Sequence, residues 1–306
     1  MALKDRVALG MSLPHRSPDP IDVAAVRQVA QRAEALGFGD LWVTDNILDH
    51  AGCFNALTVL TYAAALTSTI RLGVSVLVLP VYHPVHVAHQ VATLDYLSGG
   101  RAILGVGLGR DDDYPPFQVP RTGRVRRFTE SVELIKALWT APDVTYRGET
   151  FQVENATLGT KPVQAPRPPI WFGGHHPDAV RRAAALADGW MGAGGSSTAA
   201  FATHVPLLRA ALEEGGRDPG TFPISKRVFL SVHERPEVAE AEVRRWFGEV
   251  YRNPSLTTEA GVYGTPEQVR EQLEQIAAKG ANHLLLNPVT RYAEQVEALA
   301  EIAGLS

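Results

Sequence analysis

Short apolar runs alternate with amphipathic helical stretches along most of this 306-residue chain, the pattern of βα units feeding a parallel sheet. The strand-like runs are Val7–Leu13, Leu41–Thr44, Ile70–Leu79, Arg101–Val106, Ile170–Gly173, Gly189–Gly192, Ile224–Val232 and His283–Asn287. Between them lie helical stretches. Asp22–Leu36 carries apolar residues at Val23, Val26, Val29, Ala30 and Ala33 and ends at Gly37, a residue suited to a C-cap. Ala56–Leu66, Pro84–Leu97, Asp178–Leu186, Pro206–Glu214, Glu237–Val250 and Tyr292–Ile302 follow the same logic. Thr265-Pro266-Glu267 opens one more helix as N-cap, first-position proline and first-turn acid. Eight strands in this alternation fit either a closed (β/α)8 TIM barrel or an open doubly wound sheet. The count favours the barrel, and so does the lack of an early Gly-x-Gly-x-x-Gly turn. Gly105-Val-Gly-Leu-Gly109 follows a strand, but no helix opens directly behind it, so it is a weak dinucleotide-binding signal.

The alternation breaks once, after strand four. From Arg110 to Pro169 the chain holds an acidic turn (Asp111–Asp113), one helix (Val125–Trp139), a hairpin-like piece around Tyr146–Phe151 and a proline-rich return from Pro162. A lone helix and hairpin cannot build a core. Residues 110–169 therefore read as an excursion from a single domain covering residues 1–306. Composition sets the remaining limits. Twenty-nine basic against thirty-three acidic residues give a net charge of −4 without a basic face, so neither nucleic acid nor an anionic membrane is expected as partner. Cys53 is the sole cysteine, there is no signal-peptide core, and no window approaches the roughly 18 apolar residues of a membrane span. A cytoplasmic protein is expected.

In such a barrel the active site lies at the C-terminal ends of the strands. This selects His15, Asp45 with Asn46, the Ser75, Val76 and Leu77 run, Gly107 to Arg110, Gly173-Gly174-His175-His176, and Trp190. Together they resemble a cofactor cradle more than a hydrolytic triad. Two glycines at a strand end followed by Pro177 at a helix start would aim free N–H groups and a helix dipole at a bound phosphate. The same residues also make a plain tight turn. Asp45 can accept hydrogen bonds from a planar cofactor or simply form a turn. His83, His86 and His89 lack the partners and directions of a metal site, and none is expected.

These residues carry a family resemblance. Leu36-Gly-Phe-Gly-Asp-Leu-Trp-Val-Thr-Asp45, the segment Leu94 to Gly109, Pro169-Ile-Trp-Phe-Gly-Gly174, Ala187-Asp-Gly-Trp190 and Gly264-Thr-Pro-Glu-Gln-Val269 resemble the luciferase-like monooxygenases, most of all the branch using the deazaflavin coenzyme F420. The resemblance implies a TIM barrel with an insertion after strand four and a cis peptide at Ser75–Val76 behind the cofactor ring. It also implies ring contact by Asp45, a phosphate near Gly173-Gly174, and commonly a homodimer. The expected activity is hydride transfer between F420 and a small organic substrate. Flavin mononucleotide with oxygen stays open as an alternative, as does a non-catalytic cofactor-binding role. His15 or His176 is a candidate proton donor, and Arg110 a candidate for holding an anionic group. Sugar-phosphate dehydrogenases of the family carry a histidine and a glutamate where this chain has Asn46 and Arg110, so their acid and base do not carry over.

Overall fold

The computed structural model describes residues 2–305; Met1 and Ser306, the ends of the expected single unit, lie outside the described residues. Eight parallel strands close on themselves: β1 (Ala8–Ser12), β2 (Asp40–Val43), β3 (Arg71–Val74), β4 (Ala102–Gly107), β5 (Ile170–Gly173), β6 (Gly189–Gly192), β7 (Ile224–Val232) and β8 (His283–Pro288). Each pairs with its neighbours in chain order, and β8 returns to β1 through Ala8 opposite His283. This is the TIM barrel, not the open sheet.

The outer helices start and stop where side chains dictate. Asp22 caps α1 (Val23–Leu36) by accepting from Ala24 N at 2.8 Å, and Gly37 ends it at φ 89°. Helix α2 (Ala56–Leu66) is capped by Asn55, and α3 (Pro84–Ser98) by His83, with proline at its first position. Helix α4 (Arg124–Thr140) changes the meaning of the excursion. Phe128, Val132, Ile135 and Leu138 bury into the main core, and Trp139 Nε1 donates to Ala88 O of α3 at 2.9 Å. It builds no core of its own because it joins the barrel's, as the fourth outer helix. The added material reduces to the turns before it and a hairpin, Val144–Arg147 with Gln152–Ala156.

Two buried carboxylates fasten that material. Glu130 accepts from Glu149 N, Thr150 N and Phe151 N at the hairpin tip, at 2.8 to 3.1 Å. Asp95, fully buried in α3, accepts from Val163 N at 2.7 Å, Gln164 N at 3.0 Å and Gln164 Nε2 at 2.6 Å where the chain returns to the barrel.

The ring continues with α5 (Pro177–Leu186), α6 (Thr198–Glu214), α7 (Pro236–Val250), the short α8 (Leu256–Ala260), α9 (Pro266–Ala278) and α10 (Tyr292–Ala303). Helix α6 starts eight residues before the expected Pro206. Ser197 caps it, and burial of Phe201 and Val205 holds the early turns, so the proline sits inside the helix. Gly261–Gly264 adds a short strand on the far end of β7.

Candidate active site

The third strand does not run straight through. After Val74 the peptide Ser75–Val76 is cis, and Leu77–Val78 then pairs with Val106 and Gly107 of β4. The Val76 side chain lies over the barrel interior against the Trp42, Ile103, Trp171, Met191 and Leu285 cluster. It crowds the neighbouring strands: a Cβ on Gly107 would stand 2.6 Å, and on Gly173 2.8 Å, from Val76 methyl carbons. Only glycine fits there. The result is a cavity of 540 Å³ at the C-terminal mouth, walled by Ser75, Val76, Gly107, Gly173 and Gly174 on its inner side. That volume suits a cofactor-sized ligand.

The other end of this cavity is cationic. His176 caps α5, its Nδ1 accepting from Asp178 N at 3.2 Å, with Pro177 at the first helical position. His175, His176, Arg182 and Arg124 line this end, together with the acid Asp178. Burial pulls the Arg182 guanidinium below its ordinary range, with Asp178 opposing. Arg124 pairs with Asp111 and lies 6.0 Å over the Tyr114 ring. A helix N-terminus flanked by guanidinium groups is a place for an anion.

Asp45, Asn46 and Arg110 line a second, smaller hollow of 180 Å³ with Val78 and Pro116. The Asp45 carboxylate accepts from Val78 N at 3.2 Å and from the Tyr82 hydroxyl at 2.9 and 3.0 Å. Burial pushes its carboxyl up even against those bonds. Burial and the Asp45 charge push the Tyr82 phenol far up, which keeps it a donor. Arg110 reaches outward to Asp113 at 3.3 Å and Asp112 at 3.6 Å.

Three residues from the sequence reading take other places. His15 is 1% exposed and walls neither hollow. Its Nδ1–H donates to Leu13 O at 2.8 Å, and Nε2 accepts from Thr44 N at 2.7 Å. Burial lowers it to about 4, and its bonds tie the end of β1 to the end of β2. Leu77 is 1% exposed and off the cavity wall, because it alternates with Val76 and packs into the main core on the other face of the strand. Trp190 supports from behind, its Nε1 donating to Gly174 O at 3.0 Å while its ring stacks on Phe201. The strand-end residues His15, His176, Asn46 and Arg110 are therefore dispersed: His15 in the core, His176 at the cationic end, Asn46 and Arg110 in the smaller hollow.

One wall residue escaped the sequence reading. Arg227 of β7 is 8% exposed and lines the large cavity. Its Nε donates to Asn287 Oδ1 at 3.0 Å, its Nη1 makes a long contact of 3.4 Å to Ser75 O, and it lies 4.6 Å over the Phe229 ring. Beside it, Lys226 points the other way and donates to Ala193 O at 2.8 Å and Ser196 O at 2.7 Å, pinning the loop after β6. Burial lowers Lys226 to about 7 and Arg227 to about 10. Two cations amid the apolar run Ile224–Val232 were the available signal.

The closed barrel thus carries a glycine-walled cavity at its C-terminal mouth with a helix N-terminus and guanidinium groups at one end. The sequence profile of the luciferase-like monooxygenases matches residues 7–261, and the chain belongs to that family. It is 34% identical over 228 residues to an F420-dependent glucose-6-phosphate dehydrogenase of Kineococcus radiotolerans, covering 71% of this chain and 66% of that protein. The fold matches an F420-dependent secondary alcohol dehydrogenase bound to an F420–acetone adduct, at TM-score 0.85, 22% identity and 98% and 99% coverage of the two chains. It also matches the oxygenating constituent of 3,6-diketocamphane monooxygenase from Pseudomonas putida in complex with FMN, at TM-score 0.79, 17% identity and 98% coverage of each chain.

Proposed function

We propose that this protein is an F420-dependent oxidoreductase that moves a hydride between the deazaflavin and a small organic substrate. The observation carrying this reading is the two-ended cavity. Val76, Gly107 and Gly173 shape an apolar wall for a flat ring, and the α5 N-terminus with Arg182 and Arg124 receives an anionic group at the other end. Those residues fit a phosphate-bearing tricyclic cofactor, which when bound supplies the two-electron chemistry. The choice of the deazaflavin rests on the Kineococcus relative.

The chain's own residues supply placement. Asp45, oriented by Tyr82 and Val78 N, presents a buried carboxylate to the smaller hollow, where Asn46 and Arg110 face a substrate. The 180 Å³ hollow favours a small substrate or one end of a larger one. His176 is used as a helix cap, so no proton step is assigned to it.

A second reading keeps the cavity and replaces the deazaflavin with reduced flavin mononucleotide and oxygen, as the fold match to the FMN-bound monooxygenase suggests. Titration of the purified protein with each cofactor, followed by ring fluorescence, separates the two. The first reading expects saturable deazaflavin binding and turnover of alcohols, aldehydes or enones without oxygen uptake. Flavin binding alone, with oxygen consumed during turnover, overturns it.

A further inference from the structure

Most buried charges here have a partner of opposite sign or a set of backbone donors. Asp40 faces the His283 ring at 3.0 Å, Arg16 holds Asp49, and Glu130 and Asp95 collect backbone N–H groups. Arg101, Lys226 and Arg227 depart from this pattern: Arg101 donates five hydrogen bonds and Lys226 three to neutral oxygens that enclose them, whereas Arg227 meets only two groups and opens on the cavity. Its hydrogen-bond partners are an amide oxygen and a peptide carbonyl, both neutral. Among the described residues no carboxylate lies within ion-pair distance of it. The ionisable groups around it are Arg16, Tyr251, Cys53 and the neutral His15, and Arg16 is itself a cation. A buried charge left uncompensated carries a desolvation penalty of several kcal/mol. The side chain is nevertheless built in: it rests on Phe229, and a Cβ on Gly194 would stand 3.2 Å from its Cδ, so the loop after β6 leaves it little room to move. It opens on the cavity beside Ser75 and Val76, the wall assigned to the ring, and away from the cationic helix end.

We propose that Arg227 is a cofactor-contacting residue that holds the bound ring in its anionic form. This rests on the cofactor reading above. A deazaflavin ring has an acidic proton and spreads the resulting negative charge over its heteroatoms. A charge close to such a ring is one of the means by which a protein tunes it. Arg227 favours release of that proton to solvent by setting a fixed positive charge, already stripped of water, against the ring. The ring in turn supplies the counter-charge that the fold withholds from Arg227.

The test uses the purified chain with oxidised F420, reading ring ionisation by absorbance across pH and affinity by fluorescence. In the wild type the bound ring should ionise about one pH unit or more below the free coenzyme. Arg227→Met should abolish that difference. It should also weaken binding about tenfold where the ring is charged, and less than about twofold where it is neutral. Arg227→Lys should retain most of the effect, and Arg227→Gln, which keeps a donor toward Asn287, carries the test if the methionine variant does not fold. An unchanged ionisation midpoint, or an equal loss of affinity at every pH, overturns the proposal. Wild-type binding judges the cofactor reading separately. If only flavin mononucleotide binds, the same titration on its reduced form under anaerobic conditions applies, with the same criteria.

Discussion

The two ends of the barrel interior handle buried polarity in opposite ways. At the N-terminal end Asp40 accepts from the Trp42 indole and faces His283 Nε2 at 3.0 Å, while His283 Nδ1 meets Ser225 Oγ at 2.7 Å. Trp171 closes over the group with its ring 5.3 Å from that of His283. The arrangement resembles a Ser-His-Asp triad, yet it adjoins neither hollow described above, so it serves as a self-satisfied plug. At the C-terminal end Arg227 and Asp45 are almost as buried but only partly matched by protein groups. The bottom of the barrel is complete without a ligand; on the function proposed above, the top is completed by one.

The sharpest way to break this contrast is at the bottom. His283→Ala leaves Asp40 buried without its partner and should cost about 3–5 kcal/mol in urea denaturation, with cofactor affinity of the folded fraction unchanged. Cofactor loss at wild-type stability would refute the plug. Near the top, His15 stays neutral in the native state down to about 4, whereas the unfolded chain takes up its proton below the ordinary 6.5. Its contribution is therefore complete above pH 6.5 and lost as pH falls from 6.5 to 4, by roughly 3 kcal/mol. Thermal unfolding across that window should show the slope, and His15→Gln should flatten it.

Predictions aimed at the cavity are smaller on stability and larger on binding. Gly173→Ala sets a methyl against Val76 and should weaken cofactor binding about tenfold or more, with about 1–3 kcal/mol of overpacking. Equilibrium binding and melting curves check both. Arg182→Ala should lower affinity several-fold, most at low salt, since a partly exposed charge is screened. Least of all, Arg110→Ala should move stability by no more than about 0.5 kcal/mol and leave cofactor affinity alone while raising KM for the substrate. A change in cofactor affinity there would merge the two hollows into one site.

How much of this was legible beforehand follows from range. Local chemistry reads well: Gly37 ending α1, Thr265 capping α9, and the Gly173-to-Pro177 turn are contained in a few adjacent residues. The βα alternation reads equally well because its period is local. The break in strand three does not read from periodicity, since Ile70–Leu79 is nearly all apolar and carries little period to interrupt; only the family resemblance placed a cis peptide at Ser75–Val76. Pro206 misled because proline marks helix starts more often than interiors. His15 looked poised because its surroundings, Leu13 and Thr44, come from two different strands. Arg227 was hidden by its strand, and its meaning depends on the acids that are not beside it. Asp45 was found by position, but Tyr82, which orients it, lies beyond the next strand.

The pair of carboxylates that fasten the hairpin has a further consequence. Glu130 grips the tip from α4, and Asp95 grips the exit segment at Val163 and Gln164 from α3, so both anchors sit on the ring and neither on the inserted stretch itself. Material between such fixed posts behaves as a cassette. Its length and side chains can drift, or be exchanged for a relative's, without disturbing the entry of β5 into the sheet, provided the backbone amides met by the two posts are kept. Remodelling this enzyme family by swapping that loop is therefore a matter of preserving two grips rather than a sequence.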